Sequence, residues 1–219
     1  MRYPDMKQCR KLCVLVMALA LAAVYGSDVN ACSPGVGYVR PTNFDLVRKA
    51  DVIVVASANL DGATTDRRQR ASVRFRTDID LKGNLPKEFE RGNDVYGNPA
   101  PSDPDNLLSV NPEAMSGACH RYLFRRNDQY VLFLTKGKDG TYSDPGYSFV
   151  RDSEDFSGEG SAWVRAIRLY IAIQELPLPI DQLRALGREY EKLTGADASK
   201  EDRAIAADIA VQAARMLKD

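Results

Sequence analysis

The stretch SVRFRTDIDL, residues 72–81, alternates apolar and polar side chains almost without a break. Its apolar members are Val73, Phe75, Ile79 and Leu81, and the positions between them are mostly arginine and aspartate. This period of two predicts a β-strand with one face in a protein core and the other in water. We therefore expect a sheet with one covered face.

Two more apolar stretches predict buried strands. Residues 51–58, DVIVVASA, and residues 129–135, QYVLFLT, are short and rich in β-branched and aromatic side chains. Weaker strands are predicted over residues 85–90 and 147–150. Between them, 17 of the 28 residues from 91 to 118 are Pro, Asn, Asp, Gly or Ser, and this predicts a long loop that is either functional or mobile.

The pattern changes to a helical period after residue 157. Pro177 and Pro179 end the first predicted helix, Gly195 suits the end of the second, and Ser199 with Asp202 suits the start of the third. The apolar stripes of the three helices are Trp163, Ile167, Tyr170 and Ile171; Leu183, Leu186, Tyr190 and Leu193; and Ile205, Ile209, Ala213 and Met216. Strands followed by helices predict an α+β fold.

The first 31 residues read as a secretory signal peptide. A basic start is followed by the apolar run LCVLVMALALAAV, residues 12–24, and then by small residues that end at Ala31. A retained membrane anchor is the alternative, but a span needs about 20 apolar residues. We expect cleavage after Ala31 and a secreted or periplasmic protein, with no transmembrane anchor left after cleavage.

Cleavage would leave two cysteines, Cys32 and Cys119, because Cys9 and Cys13 lie within the signal. An oxidising compartment favours a disulfide between them, and two unpaired thiols are the alternative. Cys32 would also be the first residue of the mature chain. A lipoprotein, anchored in the envelope through Cys32, is therefore a second interpretation, although Asn30 stands where that signal prefers a small residue.

The sequence offers little that predicts catalysis or nucleic-acid binding. The net charge is zero and His120 is the only histidine, which excludes sites that need two imidazoles. No phosphate-binding glycine loop and no nucleophile elbow is present. The acidic residues Asp152, Glu154, Asp155 and Glu159 are interpreted as a solvated linker rather than as a catalytic carboxylate pair. We expect no enzymatic activity, no cofactor, no intrinsic metal and no nucleic-acid partner.

The order of these motifs resembles a known family. Cys32 and Ser33-Pro34 directly follow a signal, then come Ala50-Asp51-Val-Ile-Val-Val55, Leu81-Lys82-Gly83, Cys119 and Tyr130-Val-Leu-Phe-Leu134. Over residues 32–150 the chain resembles the netrin-like domain, and within it the tissue inhibitors of metalloproteinases and their bacterial relatives. The resemblance implies a five-stranded OB-like β-barrel, with the first cysteine bonded to one near a late strand.

The resemblance also implies a function and its residues. In the inhibitors, the free amine and carbonyl of the first cysteine chelate the zinc of the protease, and the next side chain enters its specificity pocket. Cys32 and Ser33 match those two positions. The chain departs from the family at Pro34, which stands where a second cysteine is expected, and no counterpart is known for the loop or the helical tail.

These expectations combine into one organisation of the chain: a signal peptide over 1–31, a netrin-like OB-type barrel over 32–156 with the loop 91–118, and a C-terminal segment of about three helices over 157–219. The expected function is an exported, non-enzymatic binding protein that inhibits a metalloprotease through Cys32. The alternative is a structural or interaction module of the cell envelope whose helical tail docks a partner. An enzyme built around the acidic residues is a third interpretation.

Overall fold

The two most apolar stretches pair at the centre of an antiparallel sheet, as strands β1 (Val52–Ala58) and β6 (Gln129–Lys136). Val54 lies opposite Leu132 and Val55 opposite Val131. Both strands are buried on both faces, so every side chain in the middle of the ladder contributes to a core. This explains why their sequences read as continuous apolar runs rather than as alternating ones.

The structure, a computed structural model, describes residues 35–59, 72–115 and 119–218. All of them belong to one unit, Cys32–Asp219. The predicted signal peptide, Cys32 and Ser33 lie outside the described residues.

The other strands extend this sheet on both sides in the order β3-β2-β1-β6-β7, and β8 also pairs with β6. β4 and β5 form a separate parallel pair. On the two outer strands, the rings of Phe89 and Tyr142 lie edge to face with centroids 6.4 Å apart. The sheet therefore curls into a nearly closed, barrel-like form. The strands not yet bounded are β2 (Ser72–Lys82), β3 (Glu88–Gly92), β4 (Val95–Tyr96), β5 (Leu123–Phe124), β7 (Tyr142–Ser143) and β8 (Ser153–Asp155).

Two cores lie on opposite faces of this sheet. The inner core fills the barrel-like sheet with side chains that include Val54, Phe75, Phe124, Tyr130 and Leu132. The outer core lies between the sheet and the helices and includes Ile53, Val55, Val131, Phe133, Trp163, Ile167 and Ile209. Successive residues of β1 and β6 thus alternate between the two cores, as the period of a strand requires.

Strand β2 departs from the prediction that its four apolar residues share one face. Val73 and Phe75 lie in the inner core, but Ile79 and Leu81 pack against the outer core. The pairing with β1 shifts at two points, so that Asp78 and Leu81 have no direct partner in the ladder. An extra residue of this kind exchanges the two faces of a strand.

Within the described ranges, four α-helices accompany the sheet: α1 (Asn43–Lys49), α2 (Ala162–Gln174), α3 (Pro179–Leu193) and α4 (Lys200–Met216). The hydroxyl of Ser199 accepts from the N–H of Asp202, whose carboxylate accepts from the N–H of Ser199, so the predicted start of the last helix is confirmed. Trp163 is buried, as its stripe predicts, and stacks on Phe133 with ring centroids 5.4 Å apart.

The α+β class is confirmed, and three predicted elements differ. The strand predicted at 147–150 is wrong: Phe149 has φ 58°, a left-handed conformation that no strand accepts, and the last strand is β8. The strand predicted at 85–90 begins later and ends at Gly92. The predicted loop 91–118 contains the end of β3, the short strand β4 and a 3₁₀ turn, Pro112–Met115.

Candidate functional site

The segment that follows the predicted zinc-binding residues is held against the body of the protein. Residues 35–38 form a turn in which the N–H of Tyr38 donates to the carbonyl of Gly35, at 2.9 Å. Gly37 has φ 85°, which a glycine adopts without strain. The Tyr38 hydroxyl donates to the carbonyl of Ser148 at 2.6 Å, and its ring lies edge-on to Phe149. The lead-in to the first helix is therefore anchored on residues 148–149.

Cys119 lies beside the same anchor. Its carbonyl accepts a hydrogen bond of 3.0 Å from the N–H of Phe149. Both residues have positive φ, 64° for Cys119 and 58° for Phe149, which is uncommon for residues with a side chain. Tyr38 and Cys119 thus both contact the segment 148–149. The predicted disulfide itself stays a prediction, because Cys32 lies outside the described residues.

A cleft of about 580 Å³ opens next to this anchor. We call it the N-terminal cleft; four parts of the chain line it, namely residues 39–43, 107–110 and 149–151, and side chains between 208 and 218 on α4 and just after its end. Leu107, Phe149 and Val150 form a buried apolar floor. Val39, Leu108 and Val211 are exposed apolar residues at its mouth. This volume lies within the usual range of ligand sites, roughly 300–1,000 Å³.

One buried carboxylate lines the cleft. Asp208, on α4, accepts hydrogen bonds from the Tyr170 hydroxyl at 2.6 Å and from the Asn43 side-chain amide at 2.9 Å. Burial raises the pKa of Asp208 to about 6, although these two hydrogen bonds and the positive charges of Arg151 and Arg40 oppose the change. The side chain is therefore mostly ionised at neutral pH, and its oxygens are partly satisfied by the protein.

The charges around the cleft are mostly positive. Among the described residues, four basic side chains line it, against the single carboxylate of Asp208. Arg151 is buried, and Arg215 donates to the carbonyl of Arg40 at 2.8 Å. Arg40 and Lys218 are exposed, and neither forms an ion pair with another described residue. The mouth of the cleft therefore favours an anion.

The acidic residues at the strand-to-helix junction form a second cluster, and they are not a solvated linker. Asp152 and Glu154 are fully buried, and Asp155 is mostly buried and paired with the buried Arg121 at 3.0 Å. Only Glu159 is well exposed, and it forms an ion pair with Arg168. The interpretation fails because β8 pairs with β6, which draws residues 152–155 into the protein.

Three buried arginines surround these acids and connect them to the long loop. Arg91 binds Asp94 and donates to the hydroxyl of Ser153 at 2.7 Å and to the carbonyl of Arg121 at 3.0 Å. Arg151 donates to three carbonyls of the loop, those of Asp103, Asn106 and Ser109, at 2.8–3.2 Å, and lies 3.5 Å from Glu154. The loop is thus fixed by charged hydrogen bonds in addition to the burial of Leu107 in the outer core.

Asp152 is buried in this cluster without a full set of hydrogen bonds. Burial raises its pKa to about 8, and the acids Asp144, Glu154 and Asp94 add to the effect while Arg91 opposes it. Some buried polar atoms have no hydrogen-bond partner among the described residues: Asp152 Oδ2, Glu154 Oε2, an Nη atom of Arg121, Arg151 Nε and Trp163 Nε1. Such atoms are rare in folded proteins, so the cluster depends on charge rather than on full hydrogen bonding.

Sequence reasoning missed the cleft and the buried arginines. Asp208 carried one signal, because it stands between Ile205 and Ile209 on the predicted apolar stripe of its helix. A carboxylate at such a position is buried only when partners satisfy it. Its partners Asn43 and Tyr170 lie far away in sequence, so no local pattern identifies them.

Among the described residues, no group of three or more His, Cys, Asp or Glu side chains is arranged to hold a metal ion. Within the same ranges, no helix has both the length and the apolar character required to cross a bilayer. Comparison of the chain with protein-family models, with curated proteins and with solved structures finds no match.

Proposed function

We propose that this chain is an exported, non-enzymatic binding protein and that it inhibits a zinc metalloprotease through its N-terminus. The Cys32 amine and carbonyl are the zinc ligands, and Ser33 enters the pocket beside the metal. The observation that carries the proposal is the anchoring of residues 35–38 beside Cys119. Only Ser33 and Pro34 separate Cys32 from the turn that begins at Gly35, and both Tyr38 and Cys119 contact residues 148–149, which supports a bond between Cys32 and Cys119.

The surface next to this terminus supports a protein contact. Val36 is fully exposed and Val39 is 64% exposed, on a segment whose backbone is held in place. Apolar side chains on an ordered, exposed segment are typical of contact surfaces. A segment that is already ordered loses less conformational entropy when it binds.

The chemistry of the terminus suits zinc. An α-amine has a pKa of about 7.7–8.0, so a neutral, ligand-competent fraction exists at pH 7. The catalytic zinc of a protease has three protein ligands and an open position. An amine and a carbonyl from one residue can occupy that position together, provided that the amine is free.

The experiment adds one Ala before Cys32 in the exported protein. The extension moves the terminal amine by one residue, about 3.8 Å of chain, whereas a zinc–nitrogen bond requires about 2.0–2.1 Å. Inhibition of a susceptible zinc protease should vanish, and acetylation of the native amine should have the same effect. Removal of the added Ala with an aminopeptidase is the matched control, because it restores the Cys32 amine and should restore inhibition. Equal inhibition by the native and extended proteins would reject chelation.

An envelope module is the second candidate, and one observation favours it. Helix α3 buries only Ala185 and Leu186, and it exposes Leu178 at its N-terminus, Ile180 and Tyr190. A helix with this little burial leaves an apolar surface that a partner could cover. The intact mass of the exported protein separates the candidates: a lipid on Cys32 supports envelope anchoring, and an unmodified Cys32 amine supports inhibition.

A further inference from the structure

We infer that the N-terminal cleft binds a free long-chain carboxylate, with the aliphatic chain on the apolar floor and the carboxylate at the basic mouth. This site goes beyond the proposed inhibition and does not require the Cys32 amine. Its floor is formed by Leu107, Phe149 and Val150, which are buried. A ligand that fills it must therefore present an apolar body to these residues.

The polar side chains of the cleft exclude a strongly polar ligand body. The hydroxyl of Thr42 donates to Asp45 and also contacts the side-chain oxygen of Gln212, and the amide of Asn43 donates to the carbonyl of Leu107 and to Asp208. The hydroxyl of Ser109 donates to the carbonyl of Asn106 at 3.1 Å. Because these groups are already bonded within the protein, they offer little to a sugar or a base, which would lose its hydrogen bonds to water on entry.

The charges specify the other end of the ligand. Arg40 and Lys218 are exposed at the mouth, and neither is paired with a described acid. The only carboxylate of the lining, Asp208, is buried and accepts hydrogen bonds from Tyr170 and Asn43. An anionic headgroup at the mouth therefore meets two unpaired cations, whereas a cationic headgroup is repelled.

The test is titration calorimetry of the exported protein with sodium decanoate below its micellar concentration. We expect one binding site. Hexanoate should bind at least tenfold more weakly, because it buries four fewer methylene groups. Decyltrimethylammonium, which has the same chain and the opposite charge, should also bind at least tenfold more weakly. Equal binding of decanoate and the ammonium compound, or no binding of decanoate, would overturn the inference.

Two variants locate the site. Val211→Asp places a carboxylate at the mouth of the cleft and should weaken decanoate binding at least tenfold. Val36→Asp is the matched control, because Val36 is also an exposed valine but does not line the cleft; it should bind like the native protein. Both positions are exposed, so both variants should fold, and thermal melting verifies this. Equal affinities of the two variants would place the ligand elsewhere and reject the cleft.

A second experiment tests whether the protein binds a long-chain carboxylate that is part of a membrane. The native protein is mixed with vesicles of phosphatidylcholine that contain 20% oleate and is then sedimented. We expect the protein to stay in the supernatant, because the buried floor of the cleft is reached by a free chain and not by one that is held in a bilayer. Cosedimentation that Val211→Asp does not change would show a membrane surface effect and would contradict the binding of a free carboxylate.

Discussion

At the scale of single residues, Asp152 shows how burial changes the chemistry of a side chain. It lies among the charges of Arg91, Asp94, Asp144 and Glu154, and its pKa is raised to about 8. At neutral pH the folded protein therefore keeps a proton on Asp152 that the unfolded chain, with a carboxyl pKa of about 3.9, releases. A group of this kind makes folding less favourable as the pH rises.

We predict that Asp152→Asn becomes more stable relative to the native protein as the pH rises from 5 to 8. Between the unfolded and folded pKa values, the native protein binds one more proton when folded, so its stability decreases by up to about 1.4 kcal/mol per pH unit from this group alone. The amide cannot ionise and removes that dependence. Urea unfolding at four pH values in this range measures the difference between the two proteins.

Asp128→Asn is the matched control for this prediction, since Asp128 is exposed. Its stability relative to the native protein should change little with pH. If the difference between Asp152→Asn and the native protein is also constant from pH 5 to 8, Asp152 is ionised in the folded state and the prediction fails.

The same residues show what a local sequence cannot reveal. Asp152, Glu154 and Glu159 are similar acids within eight positions, yet the first two are buried and the third is exposed. Their environments differ because β8 pairs with β6, more than 20 residues earlier in the chain. Spacing identifies a cluster of acids but not the long-range pairing that decides which of them meet water.

At the scale of elements, the long loop is ordered by Arg151 rather than by its own composition. The guanidinium donates to the carbonyls of Asp103, Asn106 and Ser109 and lies 5.2 Å from the ring of Trp163. Hydrogen bonds from a charged donor are among the stronger ones in proteins. The loop segment 103–109 should therefore lose its order when this one side chain is removed.

We predict that Arg151→Met accelerates amide hydrogen exchange over residues 103–109 before it affects β1 and β6. Removal of one partner of a buried pair also leaves Glu154 unpaired, at a cost of about 3–5 kcal/mol, so the variant should melt earlier. Arg184→Met is the control, because the pair of Arg184 with Asp181 is exposed and contributes little. If the amides of residues 103–109 exchange at the same rate in Arg151→Met and Arg184→Met, Arg151 does not order the loop.

Elements with a local cause were predictable, and elements with a distant cause were not. The start of α4 follows from Ser199 and Asp202 alone, three positions apart. The two faces of β2 do not follow from its alternation, because the shifts near Asp78 and Leu81 depend on how the strand pairs with β1. The alternation therefore predicted the strand correctly. It predicted which side chains share a face only up to Phe75, because the faces are exchanged after that residue.

At the scale of the whole molecule, the candidate surfaces depend on contacts that the sequence does not display. The cleft forms because Asn43 and Asp208 meet, and the N-terminal anchor forms because Tyr38 meets Ser148. Each pair is separated by more than 100 residues, and neither belongs to a motif. Cys32 and Ser33, in contrast, were identified as zinc-site residues from the order of short motifs along the sequence. Their proposed role requires a disulfide between Cys32 and Cys119, and this bond can be tested.

We predict that Cys119→Ala destabilises the protein by about 2–5 kcal/mol, because the proposed disulfide to Cys32 would restrict the unfolded chain over a long loop. Ala keeps a Cβ at the positive φ of Cys119, so the backbone strain is the same in both proteins and does not contribute to the difference.

Cys32→Ala should lower stability by the same amount, and the double variant should be no less stable than either single one, since all three lack the same bond. Urea unfolding measures these values, and a reducing agent should bring the native protein to the level of the variants while leaving the variants unchanged. Additive losses in the double variant, or a native protein that is insensitive to reduction, would show that the two cysteines act independently, and the N-terminus would then lack the tether on which zinc chelation depends.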